Sequence, residues 1–274
     1  MQLGIFAKTF SGIGVDVVLN AAKASGYETV QFNMACVGSP SMPDDISSTQ
    51  TLSIAEASRA TGISIAAVSA TYNLIHPDQK VRDDGMRRLG VMIRAARDMG
   101  TGLVTLCTGT RDPDDQWRHH PDNQNPQAWR DLLVEMGKAA VLAESFDVDL
   151  GVEPELANVV NSAISARRLI DEIGSSRIRI VLDPANLFDV VSEEERRAGV
   201  AAAVDLLGDR ISMAHAKDRD GRGNFVAAGT GVIDFPHFVS CMRGIDFRGP
   251  LVTHGLSEAE APKVAAFLKG VLAQ

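Results

Sequence analysis

The amino-acid sequence predicts an α/β protein whose fold is a (β/α)8 TIM barrel, formed by a single domain over residues 1–274. Three observations predict it. Short apolar or β-branched runs alternate with longer segments of helical period, the alternation persists from one end of the chain to the other, and there are eight such runs. A doubly wound sheet would more usually stop at about five to seven strands. The length would also suit two smaller domains, but no linker or low-complexity tract divides the chain.

The predicted strands are almost continuously hydrophobic, which indicates that both faces of each strand are covered, as in a parallel sheet. They are LGIFA (3–7), TVQFN (29–33), SIAAVS (64–69), LVTLCT (103–108), LGVE (150–153), RIVLD (179–183), ISMAHA (211–216) and PLVTH (250–254).

The segments between the strands carry the marks of amphipathic helices. Residues 83–100 place apolar side chains on one face and arginines on the other. Pro126 stands near the start of the next helical segment, and Gly174 stands just past the end of the one after it. Ser192 and Glu195 have the spacing of a capping box and so predict another helix start.

Composition restricts the class of partner. The formal net charge of −8 argues against nucleic acid and anionic membranes, since both require a basic surface. No apolar run approaches the roughly 18 residues needed to span a bilayer, and Lys8 interrupts the N-terminal one, so we expect a cytoplasmic protein. A small molecule is the expected ligand, and a homo-oligomer is left open. Cys36, Cys107 and Cys241 share no metal-binding or disulfide spacing and are predicted to be buried, reduced thiols.

Four consecutive predicted strands end in residues that can bind a metal ion: Glu153, Asp183, His215 and His254. Their separations of 30, 32 and 39 residues are each close to one strand–helix unit. Because reacting groups in this fold come from the C-terminal ends of the strands, the spacing predicts a ring of four ligands around one axis. Any one of them alone could be a hydrogen-bonded rim residue, but four in equivalent positions favour a metal site.

The ligand types indicate which ion is expected. Two carboxylates and two imidazoles suit Mn²⁺, Co²⁺ or Zn²⁺ better than an all-oxygen Mg²⁺ or Ca²⁺ site, with Mg²⁺ kept as the weaker candidate.

Loops at the same rim supply further candidates. Residues 109–126 form a long polar loop, predicted to be a lid rather than a disordered segment. Arg111 in this loop is expected either to clamp an anionic substrate group or to form a rim salt bridge. His119 or His120 could reach the substrate, and the sequence does not choose between them.

Three residues from other loops are candidates for the same rim. His76 is expected either to contact substrate or to pack its own loop. Lys217 is expected to contact substrate, and Asp218 to orient His215. The direction of Glu155, which follows Pro154, cannot be inferred.

Four motifs in the second half of the chain carry a resemblance to a known family. They read GVEPELAN (151–158), VLDPANLF (181–188), HAKDRDG (215–221) and GTGVIDF (229–235). Over nearly its whole length the chain resembles the xylose isomerase-like TIM barrel superfamily, which contains sugar phosphate isomerases and epimerases, ketose 3-epimerases, inosose dehydratases and endonuclease IV. In its sugar-active members a Glu, an Asp, a His and a second Glu bind one divalent ion. The resemblance assigns the first three positions to Glu153, Asp183 and His215.

The chain departs from the family pattern at two positions. His254 stands where the family has its second glutamate, and Asn186 stands where it often has a histidine; Asn186 is also predicted to contact substrate. The family's epimerases use both glutamates to move a proton between the two faces of a carbon. Here Glu153 is the predicted base, and His254 is predicted either to be its partner base or the fourth ligand, since an imidazole that binds metal has no free lone pair.

The resemblance implies a metal-dependent isomerase or epimerase of a small sugar or sugar derivative. A dehydratase and a non-catalytic sugar-binding relative stay open as alternatives. Endonuclease IV-like activity is not expected, because it needs a three-zinc cluster with more histidines than this rim supplies. Two carboxylates would neutralise a divalent ion, so the site is expected to accept an anionic sugar derivative more readily than a site with three carboxylates would.

Overall fold

Eight parallel strands close into a barrel, as predicted, in a computed structural model that describes residues 1–274. The strand order around the barrel follows the chain, so each strand lies beside its sequence neighbours and the last strand closes on the first. The barrel strands are β1 (Leu3–Phe6), β2 (Thr29–Phe32), β3 (Ser64–Ser69), β4 (Leu103–Cys107), β5 (Asp149–Glu153), β6 (Ile178–Leu182), β7 (Ile211–Ala216) and β10 (Leu251–Thr253). A two-stranded hairpin that the sequence did not predict, β8 (Asp218–Arg219) and β9 (Phe225–Val226), follows β7.

Eight helices accompany the barrel strands. They are α1 (Val15–Ala24), α2 (Ser48–Thr61), α3 (Gln79–Ala96), α4 (Pro126–Ser145), α5 (Ala163–Ile173), α6 (Glu193–Leu207), α7 (Phe235–Gly244) and α8 (Ala261–Leu272). The predicted capping box of Ser192 and Glu195 starts α6, and Gly174 ends α5 in the left-handed conformation that a glycine adopts without strain. None of the helices is both long enough and apolar enough to span a bilayer.

The barrel interior is packed with apolar side chains below the rim. Val181, Met213 and Val252, each two residues before a predicted ligand, form one buried cluster with Ala67 and Leu103. Strand alternation therefore directs the predicted ligands toward the same axis, one layer higher. The three cysteines are free, and two of them, Cys36 and Cys107, are buried.

Asp218 anchors the loops that follow β7 rather than orienting His215. Its carboxylate is fully buried and accepts hydrogen bonds from the backbone N–H groups of Gly229, Gly231 and Ile233 at 2.9–3.0 Å. It also accepts one from the N–H of Arg219. The GTGVIDF motif is therefore a backbone segment folded around one carboxylate.

We expect Asp218→Asn to lower the free energy of unfolding by about 2–6 kcal/mol, because an amide NH2 would face two backbone donors and leave them unpaired at about 1–3 kcal/mol each. Urea unfolding of the metal-free protein measures this loss. Asp220→Asn is the matched control, since Asp220 accepts only local hydrogen bonds at the exposed tip of the hairpin, and a change within about 0.5 kcal/mol is expected. Equal effects of the two substitutions would contradict the anchoring role.

Candidate active site

Four side chains meet at the C-terminal end of the barrel, where the sequence predicts them. One ligand atom from each of Glu153, Asp183, His215 and His254 lies within 4.8 Å of the others. Glu153 ends β5 and His215 lies in β7, while Asp183 and His254 directly follow β6 and β10. The cluster is assembled because four neighbouring parallel strands end at the same rim.

Hydrogen bonds fix the orientation of Glu153 and His215. Oε1 of Glu153 accepts from Nδ2 of Asn186 at 2.9 Å and lies 3.0 Å from Nδ1 of His215. Nε2 of His215 lies 2.8 Å from Oε1 of Gln31, whose Nε2 donates to Oγ1 of Thr105. Because Gln31 presents its oxygen, His215 donates from Nε2, and Nδ1 is the nitrogen that faces the cluster. Nδ1 donates to Glu153 when the imidazole is protonated and offers its lone pair to a metal ion when the imidazole is neutral.

Two other atoms of the cluster have no hydrogen-bond partner. Oδ2 of Asp183 and Nε2 of His254 are both buried and unpaired, and they lie 3.4 Å apart. A buried polar atom without a partner costs about 1–3 kcal/mol. A divalent cation would supply the missing partner to both atoms and to the Nδ1 lone pair of His215, so these residues fit the metal ion that the sequence predicts.

The charges of the cluster favour a cation as well. Burial alone would raise the pKa of Asp183, but the ammonium of Lys217, with Nζ 3.4 Å from Oδ2, holds that pKa below its usual value. Burial would also raise the pKa of Glu153, but the charge and hydrogen bond of His215 together with the charge of Lys217 lower that pKa below its usual value. Both carboxylates are therefore ionised at neutral pH. Burial lowers the pKa of His254, which favours the neutral imidazole that a metal ion requires.

A cavity of about 770 Å³ opens above the cluster. Its walls include charged, aromatic and amide side chains from several loops and strands, among them Phe6, Lys8, Gln31, Trp117, Glu155, Lys217, Arg219 and Phe225. Volumes of this order hold small ligands of sugar size. The cavity is therefore the expected position of a substrate bound next to Glu153.

The structure brings some of the predicted substrate-contacting residues to this cavity and not others. Lys217 lines it, and Asn186 reaches it indirectly through its hydrogen bond to Glu153. Arg111 donates to the carbonyl of Ile75 and forms an ion pair with Asp131. Of the two roles expected for Arg111, the structure therefore shows the rim salt bridge and not the substrate clamp. His76 packs loops together and does not line the cavity: Nδ1 accepts from the N–H of Asp78 in its own loop, and Nε2 lies 3.0 Å from the carbonyl oxygen of Pro113 in the lid loop.

The predicted lid loop reaches the cavity through different residues. Gln116 and Trp117 line the cavity. An ion pair between Asp112 and Arg118 links the two residues that flank this part of the lid loop. His119 lines a separate cavity, and Nδ1 of His120 accepts a backbone hydrogen bond from Asp122.

Sequence reasoning did not select four residues of the site. Gln31 could have been identified from the sequence, because it is a polar residue inside an otherwise apolar predicted strand. Glu155 lines the cavity, and burial beside Glu153 raises its pKa to about 8. Lys8 and Phe225 gave no signal; the ring of Phe225 covers Lys217, with Nζ 3.9 Å from the ring centre. That contact depends on the hairpin of β8 and β9, which is too short for a sequence pattern to reveal.

The fold and the rim cluster together define an α/β barrel of the kind that carries reactive groups at the C-terminal ends of its strands. The sequence model of the xylose isomerase-like TIM barrel family matches residues 19–271, and the chain belongs to that family.

Known proteins similar to this chain include sugar epimerases. An L-ribulose 3-epimerase from Methylomonas sp. (strain DH-1) is 28% identical over 109 residues, which are 39% of this chain and 35% of that protein. This matched segment thus spans about a third of that relative. The 3-keto-D-glucoside 4-epimerase from E. coli has a TM-score of 0.77 at 15% identity, covering 100% of both chains. The D-psicose 3-epimerase from Clostridium cellulolyticum H10, solved with D-tagatose, has a TM-score of 0.75 at 14% identity, covering 99% of both chains.

Proposed function

We propose that the protein is a divalent-metal-dependent isomerase or epimerase of a small sugar or sugar derivative, acting by proton abstraction next to a carbonyl group. The observation that carries the proposal is the rim cluster, in which an ionised Glu153 adjoins the unpaired Asp183 and His254 at the floor of a sugar-sized cavity. The similarity to sugar epimerases supports the same class of reaction.

The metal site would consist of Glu153, Asp183, His215 and His254. Their donor set favours Mn²⁺, Co²⁺ or Zn²⁺, with Mg²⁺ as the weaker candidate. A divalent ion held there polarises the substrate carbonyl and so acidifies the neighbouring C–H group. Gln31 fixes the tautomer of His215 in which Nδ1 is free to bind.

Glu153 is the proposed base. Its pKa is held low, and Asn186 and His215 both contact Oε1, so the other oxygen, Oε2, is the one free to take the proton. Proton transfer requires a carboxylate within hydrogen-bond reach of the substrate carbon's proton, and Glu153 lines the cavity that the substrate would occupy. His254, which faces the same cavity, is the proposed fourth ligand or partner base.

Dehydration is the second candidate function. It begins with the same proton abstraction, and His254 in place of a second carboxylate favours it, because a neutral imidazole bound to a metal ion has no proton to return to the opposite face of the carbon and dehydration needs no such return. The products separate the two reactions, since dehydration gives a keto-deoxy compound and isomerisation keeps the composition of the substrate.

The charge of the cavity supports an anionic substrate. Lys8, Lys217 and Arg219 line it. Two ionised carboxylates, Glu153 and Asp183, lie at its floor, and Glu155, whose pKa burial raises to about 8, is largely uncharged at neutral pH. A divalent ion would add two positive charges and leave the cavity with a net positive charge. Sugar acids and sugar phosphates are therefore the preferred substrate class within the proposal.

Proton exchange with solvent tests the proposed reaction directly. The Mn²⁺-loaded protein is incubated in D2O with neutral ketoses, sugar acids and sugar phosphates, and NMR follows the carbon next to the carbonyl. We expect deuterium at that carbon and conversion to an isomer, faster for the anionic compounds than for the neutral ones. A metal-loaded protein that binds these compounds without exchange or conversion would favour a non-catalytic sugar-binding protein and overturn the proposal.

A further inference from the structure

A second cavity, of about 410 Å³, lies outside the barrel mouth. It is formed where α4 and α5 begin and where the lid loop returns to α4, and it shares no lining residue with the cavity above the metal cluster. Its polar walls include Asn125, Arg130, Asn158, Asn161, Ser165 and Arg168. Nothing in the proposed reaction uses these residues.

Asn158 contributes an unpaired donor to this cavity. Its side chain is fully buried, and Oδ1 accepts from the backbone N–H of Gly109 at 2.7 Å. Nδ2 has no hydrogen-bond partner. Because Nδ2 carries two hydrogens and accepts none, a ligand that satisfies it must present an acceptor atom.

The charge of the cavity is positive although the protein is acidic. None of its twelve lining residues is Asp or Glu, in a chain of net charge −8. Arg130 donates only to the neutral Oε1 of Gln127. Arg168 uses Nε to bind Glu172 at 2.6 Å and stacks over Trp129 at 4.1 Å from the ring centre, and its two Nη atoms make no hydrogen bond.

Two helix N-termini reinforce this positive potential. Helix α4 has 20 residues and α5 has 11, and residues of the first turns of both line the cavity. The N-terminal end of a helix carries a partial positive charge that favours anions. Two arginines, two helix ends and a buried amide donor therefore belong to the lining of one space.

We propose that this cavity binds a phosphoryl group, either as free phosphate or as the phosphate of a small phosphomonoester. A tetrahedral oxyanion presents acceptor atoms in several directions and so matches donors that arrive from α4, α5 and the loop after β5. The volume exceeds that of a phosphate ion, and the amide side chains around it are suited to hydroxyl groups of an attached sugar. The inference is independent of the reaction proposed for the barrel mouth.

Calorimetric titration of the full chain with inorganic phosphate and with glucose 6-phosphate tests the site. Arg130→Gln and Arg168→Gln are each expected to weaken binding by about tenfold or more, since charge-assisted hydrogen bonds contribute about 1.5–3 kcal/mol each. Arg248→Gln, at an 84% exposed side chain that does not line the cavity, is the matched control and should leave affinity unchanged. Tighter binding of glucose 6-phosphate identifies the phosphomonoester as the ligand, and equal binding identifies the phosphate group alone.

Two further variants separate this site from its alternatives. Asn158→Asp keeps the acceptor for Gly109 and replaces the unpaired donor by an oxygen, so we expect it to weaken binding as the arginine variants do. Anions can also enter the barrel mouth, which Lys217 lines, so Lys217→Gln reports on binding there: a binding event that the arginine variants weaken and Lys217→Gln does not belongs to the second cavity. Binding lost in Lys217→Gln but kept in both arginine variants would place the anion in the barrel mouth, and this result or the absence of binding would overturn the proposal.

Discussion

Glu153→Gln is expected to lower turnover by about 10²–10⁴-fold, the range that a positioned acid–base group contributes. The amide has nearly the shape of the carboxylate and still offers an oxygen to Asn186, which donates to Oε1 at 2.9 Å. It has no basic lone pair at neutral pH and carries no charge to attract a metal ion. The substitution therefore removes the base and weakens one metal ligand while disturbing the fold little.

Turnover, metal content and circular dichroism are measured together on this variant. Glu28→Gln is the matched control, because Glu28 is exposed and precedes β2 at the opposite end of the barrel. We expect the control to keep full turnover. A Glu153→Gln protein with near-normal turnover would rule out the proposed base.

Metal ion added to the chelator-treated protein is expected to stabilise it strongly. At a free metal concentration about 1,000 times the dissociation constant, the gain in unfolding free energy is about 4 kcal/mol. The structural reason is that Oδ2 of Asp183 and Nε2 of His254 are buried and make no hydrogen bond, and Lys217 at 3.4 Å is the only ammonium near Oδ2. Thermal unfolding with Mn²⁺, Co²⁺, Zn²⁺ and Mg²⁺ in turn also ranks the ions.

His254→Ala should reduce metal affinity by about 10–100-fold or more. Mutating a residue that only hydrogen-bonds to a metal ligand already lowers metal affinity by about that factor. The stabilisation at the same metal concentration then falls by about 1.4–2.7 kcal/mol. His237→Ala is the control, because His237 contacts the carbonyl oxygen of Arg197, outside the cluster. Equal metal stabilisation of His254→Ala and the unsubstituted protein would make His254 a rim residue and not a ligand.

The sequence contained enough information to predict the barrel and its rim cluster. Both depend on local patterns: eight apolar runs of strand length, and polar residues at the ends of four of them, spaced by one strand–helix unit. In a closed parallel barrel those ends must converge, so Glu153 and His254 lie close together although 101 positions separate them in the sequence.

The loop side chains could not be predicted in the same way. The direction of Arg111 depends on Asp131, which α4 presents from the next unit, and no local pattern records that pairing. The hairpin that brings Phe225 over Lys217 has strands of two residues each, below the length at which alternation is informative. Glu155 lines the cavity from a turn in which its carbonyl accepts from the N–H of Asn158 and its own N–H donates to the carbonyl of Val160, a geometry that the residue types alone do not specify.

Asp218 has a consequence for altering the specificity of this protein. The same carboxylate holds the start of the hairpin and the segment from Gly229 to Ile233, so changes there would cost stability before they changed the substrate. The hairpin tip, residues 220–224, is closed by its own hydrogen bonds between Asp220 and Asn224. Laboratory evolution of the substrate range should therefore randomise the tip and Phe225 and leave Asp218 and the glycines around it fixed.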